Sequence, residues 1–182
     1  SQLNPHFLFN TINNLYALAL EKSDKTPDAL LKLSNLLRYY LYECNKDKVS
    51  LKKEWMALVA YRDLFELKFE KPLRVEMNFL SDTDVLIEPM LLVPILENCF
   101  KHSDIGVSPD AFINITIKNT SLRVEANFEN SYNKSVKHED EPGGIGIVSV
   151  QKRLHLNYPD KHRFTIVKEN NTYQTKLILE LV

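Results

Sequence analysis

The spacing of the apolar residues changes at about residue 73, and this change restricts the fold more than any other feature of the sequence. Over residues 51–69 the large apolar side chains recur every three or four positions, which is the spacing of one helix face. Over residues 75–79 they alternate with polar neighbours, as a half-buried strand requires. Helices followed by strands mixed with helices predict an α+β sandwich, with the helices on one face of the sheet.

The N-terminal part predicts a helical hairpin. Its first helix carries an apolar stripe over residues 7–18, and its second helix begins at Thr26, directly before a proline, a combination typical of a helix N-terminus. A third helix starts after Ser50, a residue type that caps helices. We place the domain boundary before this helix, so that residues 1–48 form a helical segment and residues 49–182 form the α+β domain.

The remaining sequence predicts two hairpins and two helices. The hairpin strands lie at residues 113–117 and 122–128 and at residues 164–167 and 173–182, and the helices lie at residues 89–102 and 145–157. The second hairpin turns at Asn170 and Asn171, because asparagine tolerates the left-handed backbone of a tight turn. Residues 131–142 are polar and aperiodic, so we expect a loop there.

Composition excludes some classes of function. The chain has 182 residues, 44% of them hydrophobic, and a formal net charge of -1. It lacks the basic surplus that binding to a phosphate backbone requires, so we expect no nucleic acid partner. Cys44 and Cys99 do not have the spacing of a metal or redox site. Because Ser1 falls inside a periodic pattern, we expect the sequence to be a fragment of a longer protein.

Four polar side chains cluster on one face of the helix predicted at residues 89–102. They are Glu97, Asn98, Lys101 and His102, and they are neighbours because residues three and four apart lie together on a helix. Carboxylate and amide oxygens can ligate magnesium and cationic donors can bind phosphates, so this face suits a magnesium-bound triphosphate. The alternative is a solvated face with a Glu97–Lys101 ion pair worth about 0.3 kcal/mol.

Three of the four glycines, Gly143, Gly144 and Gly146, stand at the start of the helix predicted at residues 145–157. Such a cluster lets the backbone approach a ligand closely and directs free N–H groups toward an anion. A tight turn at the end of a loop would use the same residues. The spacing is that of neither a P-loop nor a dinucleotide fingerprint.

Asn130 lies two residues after Phe128 in the alternating pattern of its strand, so we expect its side chain to point to the buried face of the sheet. A buried amide requires hydrogen-bond partners. Its side chain therefore either bonds to its own backbone at the strand end or faces a ligand in a pocket.

His6 follows Pro5 directly and has Asn10 one helical turn further along. Pro5 removes a backbone N–H, and we expect it to loosen the helix locally and expose the imidazole. A neutral ring nitrogen is available near neutral pH, so an exposed histidine can act as a nucleophile toward phosphorus. A surface histidine without a function would show the same pattern.

Together these segments resemble the LytS-like family of sensor histidine kinases. The opening NPHFLFNTINNL is similar to the family's phosphoacceptor segment. IEPMLLVPILENCFKHS resembles the N box of the GHKL ATPase superfamily, and GGIGIVSVQKRLHLNYP resembles its second glycine box. The resemblance covers essentially the whole chain. It implies a Bergerat-type (GHKL) ATP-binding α/β sandwich with a mixed sheet, preceded by a helical hairpin that forms a homodimer.

The resemblance assigns catalytic roles to four residues. It implies that His6 is phosphorylated and that Asn10 helps to place it. It also implies that Asn98 ligates Mg²⁺, and that Glu97 polarises the acceptor or a water molecule.

The resemblance also assigns residues to the nucleotide. Lys101 and His102 would approach the phosphates, and Gly144 and Gly146 would hold the backbone at the end of the nucleotide lid. Asn130 would occupy the position at which the family usually has an adenine-reading Asp. An amide oxygen can accept a hydrogen bond from the adenine amino group, but without the charge that strengthens such a bond.

The implied activity is that of a protein-histidine kinase: autophosphorylation with ATP and Mg²⁺, then transfer to an aspartate of a response regulator. The implied location is the cytoplasmic side of the inner (plasma) membrane, which the soluble fragment would contact only through a missing upstream segment. Two alternatives stay open. One is a degenerate, non-catalytic module that dimerises and docks a regulator, and the other is a GHKL ATPase without a phosphohistidine.

Overall fold

The structure, a computed structural model, describes residues 4–132 and 145–182. Its helices are α1 (Pro5–Leu20), α2 (Thr26–Arg38), a π-helix (Tyr39–Glu43), α3 (Leu51–Glu66), α4 (Val93–His102) and α5 (Ile145–Asn157). Its strands are β1 (Val49–Ser50), β2 (Val75–Ser81), β3 (Leu86–Ile87), β4 (Ile113–Asn119), β5 (Arg123–Ser131), β6 (His162–Glu169) and β7 (Thr172–Glu180). No helix within the described residues is long and apolar enough to cross a membrane.

Five strands form the main sheet, in the order β2-β4-β5-β7-β6. The β2–β4 pair is parallel and the other pairs are antiparallel, while β1 and β3 form a separate short pair. The predicted α+β fold with a mixed sheet is therefore confirmed. Both predicted hairpins are present, and the second turns at Asn170 and Asn171, whose φ angles of 50° and 58° are left-handed as expected.

The core lies on one face of this sheet, between the sheet and the helices. Alternate residues of the central strands are fully buried, including Ile113, Ile115 and Ile117 of β4 and Val124, Ala126 and Phe128 of β5. They share one hydrophobic cluster with Ile95 and Leu96 of α4 and with Val150 and Leu154 of α5. The period-two pattern of the strands thus places one row of side chains under the helices.

The helical hairpin packs on α3 and leaves apolar side chains exposed. Phe7 stacks on Tyr61 of α3 with ring centroids 4.1 Å apart, and Lys32 of α2 pairs with Asp63 of α3 at 3.1 Å. On the outer side of the hairpin and of the π-helix, large apolar residues remain exposed: Phe9, Ile12, Tyr16, Leu20, Leu30, Leu31, Leu41 and Tyr42. This surface is available for contact with another protein.

Two expectations about helix starts were wrong. Pro5 does not loosen α1, because it stands at the first helical position. A backbone N–H at this position has no acceptor within the helix, so the proline removes no helical hydrogen bond. Asn4 caps that end by accepting the N–H of Phe7 at 3.2 Å. The helix expected from residue 89 begins only at Val93, because Met90 has a left-handed backbone with φ 58°.

Gly106 gives a stability prediction. Its φ is 81°, and an added Cβ would overlap the ring of Phe69, so Gly106→Ala is expected to lower the free energy of unfolding by about 1–3 kcal/mol. Urea unfolding measures the change. Gly146→Ala is the matched control, because its Cβ would lie 3.4 Å from the Pro94 side chain, an acceptable contact. Equal destabilisation by both variants would contradict the prediction.

Candidate active site

A buried carboxylate fixes the N-terminus of α4. Glu54 of α3 is fully buried and accepts hydrogen bonds from the backbone N–H groups of Met90 at 3.0 Å, Leu92 at 2.8 Å and Val93 at 3.4 Å. It also accepts a bond from the hydroxyl of Tyr39. Burial raises the pKa of Glu54, and the donated bonds oppose that rise. The first turn of a helix has no internal acceptors for its N–H groups, so Glu54 supplies them.

The segment that leads into α4 is also held from α5 and its C-terminal end. The guanidinium of Arg153 donates to the carboxylate of Glu88 at 2.7 Å and to the carbonyl oxygen of Met90 at 2.9 Å, and it also donates to the carbonyl oxygen of Pro89. The hydroxyl of Tyr158 accepts the N–H of Glu88 at 2.9 Å. The position of α4, and of the side chains on it, is thus set from both α3 and α5.

Glu97 of α4 lies next to the π-helix and is half-buried. The hydroxyl of Tyr40 donates to its Oε1 atom at 3.5 Å. Burial raises the pKa of Glu97 to about 7, and the bond from Tyr40 opposes that rise. A carboxyl group with this pKa can accept a proton near neutral pH, which suits the role predicted for Glu97.

Asn98 and Asn130 come together at Tyr173. Asn130 on β5 is the cross-strand partner of Tyr173 on β7, so their side chains share the buried face of the sheet. Burial raises the pKa of Tyr173, while hydrogen bonding from the side chains of Asn98 and Thr175 opposes the rise. Asn98 and Asn130 are therefore both neighbours of Tyr173.

One hydrogen-bond acceptor of the Asn130 side chain has no partner among the described residues. It is fully buried, and its Nδ2 atom donates to the carbonyl oxygen of Ser131 at 2.8 Å, whereas its Oδ1 atom has no hydrogen-bond partner among the described residues. An amino group such as that of adenine would supply the missing donor. Asn119, at the other end of β4, also has an unpartnered Oδ1. What distinguishes Asn130 is its position beside Tyr173 and Asn98.

The remaining residues predicted to contact phosphates lie at two places. Lys101 is exposed and His102 is half-buried in the last turn of α4. Gly146 lies in the first turn of α5, close to Pro94 in the first turn of α4. Gly144 lies outside the described residues, and so does most of the loop expected at residues 131–142.

His6 is exposed on the first turn of α1. The Nδ2 atom of Asn10 lies 3.3 Å from each of its ring nitrogens, so the predicted neighbour is in hydrogen-bond reach. The next residue, Phe7, anchors this turn on Tyr61. Burial raises the pKa of Tyr61, and the nearby Glu97 raises it further. The turn that carries His6 therefore packs on the side of α3 that faces Glu97.

In residues 4–132 and 145–182 no group of three or more His, Cys, Asp or Glu side chains could hold a metal ion. A magnesium ion bound largely by phosphates and water needs only one or two protein ligands. A single amide oxygen from Asn98 is compatible with such an ion.

The sequence is similar to those of histidine kinases. Residues 1–73 match the family model described as histidine kinase. The sensor protein LytS of Streptococcus mutans is 25% identical over 169 residues, which cover 87% of this chain and 29% of the relative. The sensor histidine kinase/phosphatase LytS of Staphylococcus aureus is 33% identical over 104 residues, 57% of this chain and 18% of the relative. The chain thus spans less than a third of the length of these relatives.

Solved structures share the fold. The catalytic domain of the histidine kinase ThkA superposes with a TM-score of 0.52 and 12% identity, covering 73% of this chain and 94% of that domain. The histidine kinase AdeS of Acinetobacter baumannii has a TM-score of 0.53 and 10% identity, covering 91% of this chain and 83% of AdeS. The fold is that of histidine kinase catalytic domains. In sequence, the chain is similar to histidine kinases over residues 1–73 and to LytS sensor proteins over most of its length.

Proposed function

We propose that this chain is the catalytic core of a two-component sensor histidine kinase, which phosphorylates its own His6 with ATP and Mg²⁺. The observation that carries the proposal is the buried Oδ1 atom of Asn130, an acceptor without a donor among the described residues, located beside Tyr173 and Asn98. A buried polar group without a partner costs about 1–3 kcal/mol. The amino group of adenine would satisfy it.

The chain's own residues position the reactants and stabilise charge, as phosphoryl transfer generally requires. Bound Mg-ATP supplies the γ-phosphoryl group, which passes to a ring nitrogen of His6 as its bond to ADP breaks. Asn10 orients the imidazole, and Glu97 accepts the proton that the imidazole loses. Asn98 would contribute an oxygen ligand to Mg²⁺.

The other residues of the proposed site bind the nucleotide. Asn130 accepts a hydrogen bond from adenine. Lys101 and His102 approach the phosphates with positive charge or donated hydrogen bonds. Gly146 would let the backbone pass close to the phosphates, because glycine has no side chain to obstruct the approach, and the same role stays a prediction for Gly144.

The proposed partners are a response regulator and a second copy of the chain. ThkA has been solved in complex with the response regulator protein TrrA, and it superposes here with a TM-score of 0.51 and 12% identity. We expect His6 to pass its phosphoryl group to an aspartate of such a regulator. The exposed apolar residues of the hairpin support a homodimer. Contact with the cytoplasmic side of the membrane would come through other parts of a longer protein.

Incubation with γ-labelled ATP tests the proposal. A longer protein that includes the segment before residue 1 is expected to acquire a label that requires Mg²⁺, survives base and is lost in acid, as a phosphohistidine is. Absence of that label would refute the kinase proposal. A titration with ATP then separates the alternatives: binding without label indicates a GHKL ATPase, and absence of binding indicates a non-catalytic module. The uncharged Asn130 at the adenine position favours the latter as the second candidate.

Asn130→Asp is expected to tighten ATP binding. A charged acceptor strengthens the hydrogen bond from adenine by about 1 kcal/mol, which corresponds to roughly fivefold in Kd. Isothermal titration with Mg-ATP measures the change, at a temperature where both proteins remain folded, because a buried carboxylate lowers stability.

Asn119→Asp is the matched control for this measurement. Asn119 is also buried with an unpartnered Oδ1 atom, but it lies far from Asn130. Asn130 pairs with Ile113 at one end of β4, and Asn119 lies at the other end, six residues or about 20 Å away. Its substitution should leave the Kd for ATP unchanged. Equal Kd values for the two variants, or weaker binding by Asn130→Asp, would contradict the assignment of Asn130 to adenine.

A further inference from the structure

The π-helix connects two consecutive tyrosines to two different carboxyl groups. Tyr39 donates to Glu54, which holds the N-terminus of α4, and Tyr40 donates to Glu97 on α4 itself. Both tyrosines are buried, with 6% and 9% of their surface exposed, whereas Tyr42 in the same π-helix is 67% exposed. The two buried hydroxyl groups therefore contact α4 at two points: Tyr39 through Glu54 at the helix N-terminus, and Tyr40 through Glu97 in its second turn.

The backbone geometry of this segment is unusual. The N–H of Cys44 donates to the carbonyl oxygen of Tyr39 at 3.2 Å, a bond between residues five apart, which is wider than an α-helical turn. Such turns are rare in proteins and occur frequently at functional sites. Here the wide turn lies at the end of the hairpin that carries His6, directly before the α+β domain.

We propose that Tyr40 is a positioning residue for phosphoryl transfer, because its hydroxyl orients the Glu97 carboxyl group. Tyr39 holds the N-terminus of α4 in place through Glu54. The inference deepens the proposed kinase function and rests on it. Glu97 has three rotatable side-chain bonds, and the Tyr40 hydroxyl is a donor on its Oε1 atom at 3.5 Å. Without that donor, the carboxyl group samples orientations that do not point at the acceptor.

The same contacts link the phosphoacceptor hairpin to the catalytic helix. The chain passes from His6 through α2 into the π-helix, so a displacement of α2 moves the Tyr40 hydroxyl relative to Glu97. A positioning residue at this place makes the orientation of Glu97 depend on the position of the hairpin. This dependence gives the hairpin a route by which it can control the transfer step.

Tyr40→Phe tests the inference, and Tyr42→Phe is its matched control in the same π-helix. In single-turnover labelling, Tyr40→Phe is expected to lower the rate constant for phosphorylation of His6 by about tenfold or more, because misplacement of a catalytic group acts on the chemical step. The ATP concentration for half-maximal rate and the unfolding midpoint should stay close to those of Tyr42→Phe. A purely structural role would lower the unfolding midpoint without this selective loss of rate.

The same substitution, made in a protein that already carries Glu97→Gln, tests whether Tyr40 acts through Glu97. If Tyr40 acts through Glu97, then Tyr40→Phe should have no further effect on the rate in a Glu97→Gln protein. Hydrogen exchange of the α4 amides, measured without nucleotide, gives a readout that does not depend on activity. Tyr39→Phe should raise exchange of the Met90 and Leu92 amides, which donate to Glu54 directly before α4, and Tyr42→Phe should not.

The outcomes separate this inference from the proposed function. If the unsubstituted protein acquires no phosphohistidine, the proposed function fails and the positioning role fails with it. If the unsubstituted protein is labelled but Tyr40→Phe and Tyr42→Phe react at the same rate, only the positioning role is overturned. The same conclusion follows if the entire effect of Tyr40→Phe lies in ATP affinity, or if it persists unchanged in the Glu97→Gln background.

Discussion

Substitution of His6 by Gln is expected to abolish acid-labile labelling of the chain, lowering the rate by roughly a thousandfold or more, because an amide nitrogen is not a nucleophile toward phosphorus. The loss should not reflect unfolding. His6 is exposed on the first turn of α1, and substitutions at such positions change stability by about 0.5 kcal/mol or less. ATP affinity should also be unchanged, since adenine and magnesium are assigned to Asn130 and Asn98.

His155→Gln is the matched control for this experiment. His155 is also exposed and helical, and its Nδ1 atom lies 2.7 Å from the carbonyl oxygen of Gln151, so its substitution removes an imidazole with a local contact of similar kind. Full labelling of His155→Gln and none of His6→Gln would support the assignment. Asn10→Ala is expected to give an intermediate rate, lower by about tenfold, because it leaves the nucleophile but removes its neighbour. Retention of the label in His6→Gln would show that another residue is phosphorylated.

Local patterns predicted much of the fold. Helix α5 spans Ile145–Asn157 as expected, because its apolar period is regular and no other element interrupts it. The turn at Asn170 and Asn171 follows from the chemistry of asparagine alone. The predicted polar residues of α4 also lie where the helical period placed them, with Glu97 and Asn98 on an accessible part of its surface.

Tertiary contacts explain what the sequence did not reveal. Glu54 follows two lysines in a helical pattern, which is typical of a solvated face. It is nevertheless fully buried, because its carboxylate oxygens accept hydrogen bonds from backbone N–H groups that lie 36 to 39 residues further along the chain. That distant requirement leaves no local pattern. The two consecutive tyrosines, Tyr39 and Tyr40, are both buried in a widened turn, and a 3.6-residue apolar period does not predict such a turn.

Glu54→Gln is expected to have the largest effect on stability of any single substitution proposed here. Each carboxylate oxygen of Glu54 accepts bonds, Oε1 from Leu92 and Val93 and Oε2 from Met90 and Tyr39. Glutamine has nearly the same shape but replaces one oxygen with an N–H₂ group, which must face donors and leaves at least one buried N–H unpaired. A buried donor left without its partner costs about 1–3 kcal/mol. Because the new N–H₂ group and the N–H that faces it are both affected, the expected loss in the free energy of unfolding is roughly 3 kcal/mol.

Urea unfolding of Glu54→Gln, compared with Glu66→Gln, measures this effect. Glu66 lies on the same helix but is half-buried, so its substitution should cost about 0.5 kcal/mol or less. Tyr39→Phe alone removes one of the four donors and should cost about 1 kcal/mol. Because Tyr39 and Glu54 share a bond, the double variant should be less destabilised than the sum of the single variants, by about 0.5–3 kcal/mol. A midpoint for Glu54→Gln equal to that of Glu66→Gln would mean that the α4 N-terminus is held by the contacts of Arg153 and Tyr158 without help from Glu54. Strict additivity would mean that the bond between Tyr39 and Glu54 contributes nothing to stability.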